Sequence, residues 1–410
     1  MRVNFINNFF YFPTSNQGII SVDEAKKIVA DNAHAMPPVK KLLKDAVGLV
    51  LAEDVHAAID FPPFNQSNVD GYAIIFKEAM QQLTVNGESA AGNNEQIFLQ
   101  QGHAMRIFTG APIPGNADTV VMQEKTQIEN GVLAIKDEQL KKGNNFRPKG
   151  KDIRKGDIAF KKGECLSAGA IGFLSALGIT EVTVYKKPSV SIIITGNELQ
   201  QPGNKLQFGQ VYEANSFMLK AALQQLHFDE VEIFYASDHL DKLTSTLNNA
   251  LQKNDVVLLC GGISVGDYDF VLQAATNCDV EKLFHKVNQR PGKPLYFGKK
   301  KNKLVFGLPG NPSSVLTCFY EYVAEALAMM MKKESFIKIT KAKIKDDYAK
   351  ISGLTLFLKG ILHGNEVMAL DAQESYRLSS YAKANCLIRL DEQRVEYKAG
   401  EEVEVHVLPN

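Results

Sequence analysis

Four short segments between residues 190 and 314 combine glycine with a charged, amide or hydroxyl side chain, and each lies at or beside the end of an apolar stretch. The first, residues 194–199, reads Ile-Thr-Gly-Asn-Glu-Leu and places the carboxylate of Glu198 where a strand would end. Taken alone, this segment is more typical of a plain turn than of a binding site. Glu198 is therefore a candidate binding residue only if the other three segments lie beside it.

The second segment, residues 260–269, contains three glycines and a serine directly after an apolar stretch. Such a row of free backbone amides suits a phosphate or another oxyanion, and carboxylates beside it could hold Mg²⁺ against that phosphate. A flexible loop that caps the next helix is the alternative, but so many glycines after a buried strand cost conformational entropy, which favours binding. The residues concerned are Gly261, Gly262, Ser264, Asp267 and Asp269.

The third and fourth segments offer a cation and a helix start. Lys293 stands between a glycine and a proline in residues 290–294, so it has little freedom and could meet an oxyanion as a point charge; a solvated turn is as consistent with these five residues. In residues 307–314, Asn311 suits a helix N-cap and Pro312 the first helical position. The bare amides there could cradle an anion, or simply be capped.

The surrounding sequence explains how these four segments could meet. Apolar strand-like stretches alternate with helical patterns, and this spacing predicts a parallel α/β sheet with crossover helices. In such sheets ligands bind outside the carboxyl ends of the strands, where these segments fall. The predicted strands are 190–195, 231–235 and 255–260, and the predicted helices 215–226, 240–252 and 313–331.

The flanking regions have a different pattern. Ser21 and Glu24 form a capping box that predicts a helix from Ser21 onward. Residues 61–148 alternate short strands with Gly, Pro and Asn turns, which predicts a small β-rich domain, and the pattern beyond Phe336 predicts a C-terminal β-barrel or sandwich. Asp70 and Thr109 lie in two unusual turns of the first half, each of which, taken singly, is best interpreted as structural.

The composition excludes several classes of protein. The chain has 410 residues, enough for two to four domains, and its 46 Lys and Arg balance 46 Asp and Glu, so it lacks the basic surplus of a nucleic-acid-binding protein. Five scattered cysteines without a Cys-x-x-Cys pair argue against a disulfide scaffold or zinc cluster and indicate a reducing compartment. No apolar run has the length of a membrane span. We expect a cytoplasmic protein that does not engage membranes, with a loose extension over residues 1–17 that is not a signal peptide.

The order of the motifs DGYA, TGAPIP, TGNEL, GGISVGDYD, PGKP and GLPGNP resembles the molybdopterin molybdenumtransferase family, which includes bacterial MoeA-type proteins and the E domain of gephyrin. The resemblance runs from about Ser21 to the end of the chain. It implies a multidomain α/β and β fold and a homodimer. The implied domains are an elongated linking domain (18–56 with 150–187), an inserted β-rich domain (57–149), a parallel α/β pterin-binding domain (188–332) and a small C-terminal β-barrel (337–410).

The resemblance also implies a reaction. Members of the family use adenylylated molybdopterin, molybdate and Mg²⁺, release AMP, and place molybdenum on the pterin dithiolene to give molybdenum cofactor. The implied partners are a pterin adenylyltransferase that supplies the substrate and molybdoenzymes that accept the product.

Site residues follow from the matching motif positions. Glu198, Asp238 and Asp269 match acidic positions, which we interpret as Mg²⁺ ligands or as groups that orient the attacking water. Asp70 and Thr109 match an active cleft and, lying in the first half, are expected to reach the α/β site of the other subunit. The expected substrate-binding residues are Gly261, Gly262, Ser264, Lys293, Gly310, Asn311, Ser313, Lys359, Arg377 and Ser380.

The chain departs from the family pattern at a few positions. Asn65 and Val69 replace Asp and Met in the first motif, and Asn197 stands where many members have Asp. Gln289 and Arg290 precede the PGKP motif, where Lys is common. Lys359 occupies a position that is often an arginine in contact with molybdate, and an ammonium lacks the bidentate fork of a guanidinium.

Two other functions are compatible with parts of this sequence, an adenylyltransferase and a non-catalytic carrier or scaffold. A pterin adenylyltransferase shares the α/β architecture but does not need the DGYA and TGAPIP motifs or a C-terminal β domain. A pterin-binding carrier or scaffold would not need so many carboxylates beside a diphosphate as Glu198, Asp238 and Asp269 provide. The sequence therefore favours an enzyme.

Overall fold

The computed structural model describes residues 18–92, 95–261 and 270–409. The chain forms two compact units. One is Pro38–Val184, and the other holds the described residues up to Pro37 together with those from Tyr185 onward. The predicted extension 1–17 lies outside the described residues, as do Gly262, Ser264, Asp267 and Asp269. The four-domain division remains a prediction.

Seven α-helices lie in the described residues, and a π-helical turn, Phe319–Val323, joins the last two. They are α1 (Val22–Asn32), α2 (Ala168–Ala176), α3 (Asn215–Gln225), α4 (Leu240–Lys253), α5 (Phe270–Asn277), α6 (Pro312–Cys318) and α7 (Ala324–Met330). The predicted Ser21 cap is confirmed, because its hydroxyl accepts from the Glu24 amide at 3.1 Å. None of the helices in this part of the chain is long and apolar enough to span a membrane.

The strands of the same residues are short and numerous. In chain order they are β1 (Ile19–Ile20), β2 (Pro38–Leu42), β3 (Val55–His56), β4 (Gln66–Ser67), β5 (Gly71–Ile74), β6 (Leu83–Ser89), β7 (His103–Ile107), β8 (Thr119–Met122), β9 (Thr126–Glu129), β10 (Val132–Ile135), β11 (Phe146–Arg147), β12 (Ile158–Phe160), β13 (Glu181–Tyr185), β14 (Val190–Thr195), β15 (Leu199–Gln200), β16 (Val211–Tyr212), β17 (Val231–Ala236), β18 (Val256–Cys260), β19 (Glu281–Val287), β20 (Gln289–Arg290), β21 (Pro294–Lys300), β22 (Lys303–Leu308), β23 (Lys338–Ile344), β24 (Tyr348–Ala349), β25 (Thr355–His363), β26 (Glu366–Ala369), β27 (Cys386–Leu390), β28 (Glu396–Tyr397) and β29 (Glu402–Val407).

The α/β part of the larger unit is built on a seven-stranded sheet with the order β1-β19-β21-β22-β18-β14-β17. The four strands β22, β18, β14 and β17 are parallel, as predicted. Strand β21 differs, because it runs antiparallel to both neighbours. The physical reason is the two-residue connection Lys301–Asn302 between β21 and β22, too short for a parallel crossover, with Lys301 in the left-handed region at φ 56°.

The order of the parallel strands creates a ligand-binding position. The chain passes from β14 to β17 on one side and then to β18 on the other, so the order reverses at β14. The crevice outside the carboxyl ends of strands at such a switch point is where α/β sheets bind ligands. Gly261 follows β18 there at φ 93°, and a Cβ on it would lie 2.1 Å from the Thr195 carbonyl oxygen. Only glycine permits this close approach.

The C-terminal strands form a closed five-stranded barrel. The order is β25-β26-β23-β29-β27, and pairing between β25 and β27 closes it. Its core includes Leu358, Ile388 and Val405, all nearly or fully buried. The predicted barrel is therefore confirmed over the sandwich. Strand β20, just before the PGKP motif, pairs in parallel with β25 on the outside of this barrel.

The smaller unit contains the predicted β-rich region. Its six-stranded sheet has the order β8-β5-β7-β6-β10-β9, accompanied by short two-stranded pairs and helix α2. Strands β5 and β7 are antiparallel neighbours, with Gly71 opposite Ile107. Because Asp70 precedes β5 and Thr109 follows β7, this register brings the two predicted residues to the same end of the strand pair.

Candidate active site

The mouth of the α/β sheet carries a fixed carboxylate. Thr195 ends β14 and Asp238 follows the parallel neighbour β17, so both emerge at the same edge. The buried Thr195 hydroxyl donates to Asp238 Oδ1 at 2.5 Å, and the Asp238 amide donates to Asn197 Oδ1 at 3.3 Å. The side chains of Thr195, at the end of β14, and of Asn197, in the turn that follows, thus hold Asp238 in place. Glu198, in that same turn, is exposed to solvent.

These carboxylates fit a hard divalent cation. Carboxylate oxygens are the ligands that Mg²⁺ prefers, and it keeps several waters rather than requiring a full protein cage. Within residues 18–92, 95–261 and 270–409, no group of three or more His, Cys, Asp or Glu side chains could hold a metal ion. The third predicted ligand, Asp269, lies outside those residues. The chemistry of Glu198 and Asp238 fits the predicted ion, and the complete ligand set stays a prediction.

The predicted lysine turn lies between β20 and β21. Lys293 is half-buried, and its carbonyl accepts from the Val287 amide at 2.9 Å. That bond closes the turn across its base. The side chain of Lys293 starts from a well-defined backbone position, as the prediction of a rigid turn requires.

The start of α6 is held by side chains from two neighbouring segments. Asn311 occupies the N-cap position, as predicted, but its side chain makes no capping bond and donates to Ser375 Oγ at 3.1 Å. The Gly310 carbonyl accepts from Asn215 Nδ2 at 3.0 Å. Gly310 and Asn311 remain exposed, so their backbone is accessible to a ligand.

Lys359 is deeply buried for a charged residue, with 1% of its surface exposed. Its ammonium donates to Ser313 Oγ at 3.1 Å and to the Ala372 carbonyl at 2.9 Å. The Ser380 hydroxyl donates to the same carbonyl at 2.8 Å. The structure therefore brings together Ser313, Lys359 and Ser380, three residues that are far apart in the sequence.

The surroundings of Lys359 change the pKa of its ammonium. Burial lowers the pKa of the ammonium to about 8, although the nearby Glu374 carboxylate opposes the shift. Ser313 and Ser380 are also buried, so the cluster of Ser313, Lys359 and Ser380 lies below the protein surface. Among the predicted partners on this segment, Arg377 is exposed and pairs with Glu374 at 3.4 Å. Arg290 and Pro291 line a cleft of about 440 Å³ together with Ala372 and Glu374.

Asp70 and Thr109 meet in the smaller unit. The Thr109 amide and hydroxyl both donate to Asp70 Oδ1, at 2.8 and 2.9 Å. These two bonds, aided by the positive charge of Arg106, lower the pKa of the exposed Asp70 carboxyl. Arg106 stacks on the Phe108 ring at 4.9 Å. Asp70 is thus an oriented, ionised carboxylate on the surface.

Three family models match the chain in succession: the MoeA N-terminal region (domain I and II) over residues 20–178, a probable molybdopterin binding domain over 191–329, and the MoeA C-terminal region (domain IV) over 341–408. A molybdopterin molybdenumtransferase of Haemophilus influenzae is 35% identical over 381 residues, which cover 88% of this chain and 92% of the relative. The chain belongs to the molybdopterin molybdenumtransferase family.

Further relatives agree with this membership. A molybdopterin molybdenumtransferase of Staphylococcus aureus is 33% identical over 407 residues and is covered to 95%. The crystal structure of a molybdopterin biosynthesis MoeA protein from Pyrococcus horikoshii superimposes with a TM-score of 0.81 at 32% identity, covering 96% of this chain and 100% of that one. The family resemblance read from the motifs is confirmed, and the chain is a member of a family of transferases.

Some residues that organise this molybdenumtransferase-family site were not singled out by the sequence. Asn215 is the first residue of α3, and its side-chain amide donates to the Gly310 carbonyl, while Glu213 accepts from the Ser216 amide at 2.8 Å. Thr195 carries the hydroxyl that orients Asp238, a role that only the strand register reveals. Gln289 was noted only as a departure, although its side chain is 1% exposed and makes several bonds.

Proposed function

We propose that this chain transfers molybdenum from molybdate to adenylylated molybdopterin and releases AMP in a Mg²⁺-dependent step, the last of molybdenum cofactor synthesis. The observation that carries the proposal is the contact between Thr195 and Asp238 at the switch point of the α/β sheet, beside the exposed Glu198. Family membership supplies the substrate class, and this edge of the sheet supplies fixed carboxylates where an anhydride would bind.

Cleavage of a phosphoanhydride depends mainly on positioning and on neutralising charge. Thr195 holds one oxygen of Asp238, which leaves the other oxygen for a cation or for the attacking water. Mg²⁺ bound by Glu198, Asp238 and Asp269 would supply positive charge against the phosphates. Because Asp238 is fixed before the substrate arrives, little reorganisation is needed when the bond breaks.

Molybdate, as substrate, needs donors and positive charge. We assign these to Lys293, to the amides of Gly261, Gly262, Ser264 and Gly310, and to the exposed Asn311 and Arg377. The buried Lys359 contributes its positive charge from below the surface, where it donates to Ser313 and shares the Ala372 carbonyl with Ser380. Since Lys359 donates to Ser313 Oγ, the proton of that hydroxyl is free to point elsewhere, toward the acceptor that a bound oxyanion provides.

The proposed enzyme is a homodimer in which Asp70 and Thr109 complete the site of the other subunit. Their hydrogen bonds keep the Asp70 carboxylate ionised and aimed, as a catalytic-cleft residue requires. We place the enzyme in the cytoplasm. The five free cysteines support this proposal, because free thiols persist in a reducing compartment. The adenylyltransferase that makes the substrate and the acceptors of the product are its proposed partners.

The test is AMP release from adenylylated molybdopterin by the purified chain, with Mg²⁺ and molybdate each present or omitted. We expect release only when both are present. Tight pterin binding without AMP release under any condition would favour a carrier or scaffold instead. Formation of adenylylated pterin from ATP and molybdopterin would favour an adenylyltransferase.

A further inference from the structure

A buried glutamine underlies the lysine turn. Gln289 lies in β20, whose backbone pairs with barrel strand β25 opposite Thr355. Its side chain is 1% exposed and turns back toward the PGKP motif. There Nε2 donates to the carbonyls of Pro291 and Gly292, at 3.1 and 3.3 Å. The two residues before Lys293 therefore have their carbonyls held by one amide group.

The other end of this amide is held as well. The Tyr322 hydroxyl donates to Gln289 Oε1, and Tyr322 is fully buried in the π-helical turn Phe319–Val323. The donors and acceptors fix the orientation of the amide, because two carbonyls require its NH₂ group and a hydroxyl proton requires its oxygen. Single π-helical turns within helices are frequent at functional sites.

The backbone of the turn packs closely against the helix. Gly292 has φ 88°, and a Cβ there would lie 2.5 Å from Cys318 Sγ and 2.9 Å from Gln289 Nε2. Gly292 is thus packed against both the last residue of α6 and the glutamine amide. Together with the bond from Val287 to the Lys293 carbonyl, these contacts define the position from which Lys293 extends.

We infer that Gln289 is a positioning residue for Lys293, holding the 290–293 turn so that the ammonium points at the oxyanion of the substrate. This inference rests on the proposed oxyanion-binding function of Lys293. Gln289 touches no substrate itself and acts through the carbonyls of Pro291 and Gly292. It also joins the turn to the barrel through its backbone and to helix α6–α7 through Tyr322.

The sharpest variant is Gln289→Glu, which keeps the shape but replaces the NH₂ donor by an acceptor facing two carbonyls. Because a misplacement of about 1 Å costs up to roughly 100-fold in rate, we expect kcat/KM for adenylylated molybdopterin to fall about 10- to 100-fold. Tyr322→Phe removes one hydroxyl and should give a smaller loss in the same direction. If Gln289→Glu does not fold, Tyr322→Phe tests the same contact.

A matched control lies on the same π-helical turn. The Tyr320 hydroxyl donates to Gln225 Oε1 at 3.2 Å, so Gln225→Glu alters a similar tyrosine–glutamine pair that does not contact the lysine turn. We expect this variant to retain wild-type kcat/KM. A merely structural role for buried glutamine would lower the melting temperature of Gln289→Glu without changing the rate per folded molecule.

The decisive comparison is a double-mutant cycle with Lys293→Ala. If Gln289 acts through Lys293, Gln289→Glu should cause no further loss of kcat/KM in the Lys293→Ala background. Hydrogen exchange of the Val287 amide, which reports on the turn, should be faster in Gln289→Glu and unchanged in Gln225→Glu. Additive losses, or unchanged exchange at Val287, would overturn the inference.

The cycle also separates this inference from the proposed function. Absence of molybdate-dependent AMP release by the wild-type chain would contradict the proposed function, whereas the exchange of Val287 would still decide whether Gln289 holds the turn. Normal wild-type activity with a harmless Gln289→Glu would contradict only the inference.

Discussion

The ammonium of Lys359 donates to the hydroxyl of Ser313 at 3.1 Å, and so ties barrel strand β25 to the first turn of helix α6. The same ammonium meets the Ala372 carbonyl, where Ser380 also donates. A buried positive charge therefore lies close to the start of α6, whose backbone we propose to bind the oxyanion. The charge of this lysine, rather than its direct contact, is what the substrate would sense.

This arrangement predicts a pH dependence of molybdate binding. Burial lowers the pKa of Lys359 to about 8, so the ammonium loses its proton as the pH rises through that value. We expect the Kd for molybdate, measured by titration calorimetry, to rise roughly tenfold from about pH 7 to about pH 9, because a charged donor is lost. In Lys359→Arg the guanidinium does not titrate in this range, so its curve should stay flat. An equally steep rise in Lys359→Arg would show that another group is responsible.

The carboxylates at the mouth of the sheet should be needed for cleavage rather than for folding. We expect Glu198→Gln and Asp238→Asn each to reduce AMP release about 100-fold or more while leaving the melting temperature nearly unchanged, since both change a charge without changing volume. The controls are Asp229→Asn and Glu230→Gln, which alter exposed residues just before β17, at the end of that strand opposite to Asp238. Wild-type rates in Asp238→Asn would remove it from the proposed machinery.

Thr195 should matter through the carboxylate that it orients. Thr195→Val keeps the β-branched shape of the strand end but removes the hydroxyl that donates to Asp238 at 2.5 Å. We expect about a tenfold loss of AMP release, since one charge-assisted hydrogen bond is lost. In the Asp238→Asn background the same substitution should cost little, and full additivity of the two losses would argue against the orienting role.

The shared-site proposal predicts complementation between two inactive variants. In a homodimer whose sites combine Asp70 of one subunit with Glu198 of the other, a mixed dimer of Asp70→Asn and Glu198→Gln has one intact site and one doubly altered site. Co-refolded mixtures should recover about one quarter of wild-type AMP release, because about half of the dimers are mixed and each has one working site. A mixture as inactive as its parents, or a monomeric mass by light scattering, would contradict the proposal.

Stability should also depend on pH through His406. Its Nδ1 lies 2.7 Å from Glu321 Oε1 and its Nε2 lies 2.8 Å from Glu404 Oε1, and since carboxylates only accept, both ring nitrogens must donate. Burial opposes the charge, but the two carboxylates raise the pKa of His406 above 6.5. The stabilisation is complete below 6.5 and is lost as the pH rises through the raised pKa.

The carboxylate partner sets the acid limit of that window. Although burial opposes it, Lys26 and His406 lower the pKa of Glu321, so its contribution is present above 4.5 and lost as the pH falls below that value. We expect the melting temperature of the wild type to decline above pH 6.5. His406→Gln should lower the free energy of unfolding by about 3 kcal/mol, and with it the melting temperature, and should make the decline above pH 6.5 shallower. The exposed His363→Gln is the control. If the melting temperature of His406→Gln falls as steeply with pH as that of the wild type, a charged His406 is not the cause of the decline.

The sequence predicted the parts of the fold that depend on local pattern. The apolar runs of β14 and β18, the helices between them and the Ser21 cap all follow from periodicity and capping chemistry. The antiparallel β21 was missed because its direction depends on a two-residue turn at Lys301, where neither residue is the usual glycine. Whether the C-terminal strands close into a barrel depends on the long-range pairing of β25 with β27, which short-range patterns do not contain.

The candidate site divides in the same way. Motif positions pointed to Asp70 with Thr109 and to Ser313 with Lys359, and in each pair the two side chains are in contact. The roles of the supporting residues depend on tertiary contacts. Gln289 reaches Tyr322 across 33 positions of the chain, and no spacing rule predicts such a pair. Candidate catalytic and binding residues could therefore be predicted from the sequence, whereas the residues that position them could not.

Molybdenum insertion should be coupled to AMP release, and this coupling can be measured as the ratio of molybdenum bound to the pterin to AMP released by the purified chain with adenylylated molybdopterin, Mg²⁺ and molybdate. We expect one molybdenum for each AMP and almost no AMP when molybdate is omitted. AMP release that is independent of molybdate and leaves the pterin without metal would contradict it.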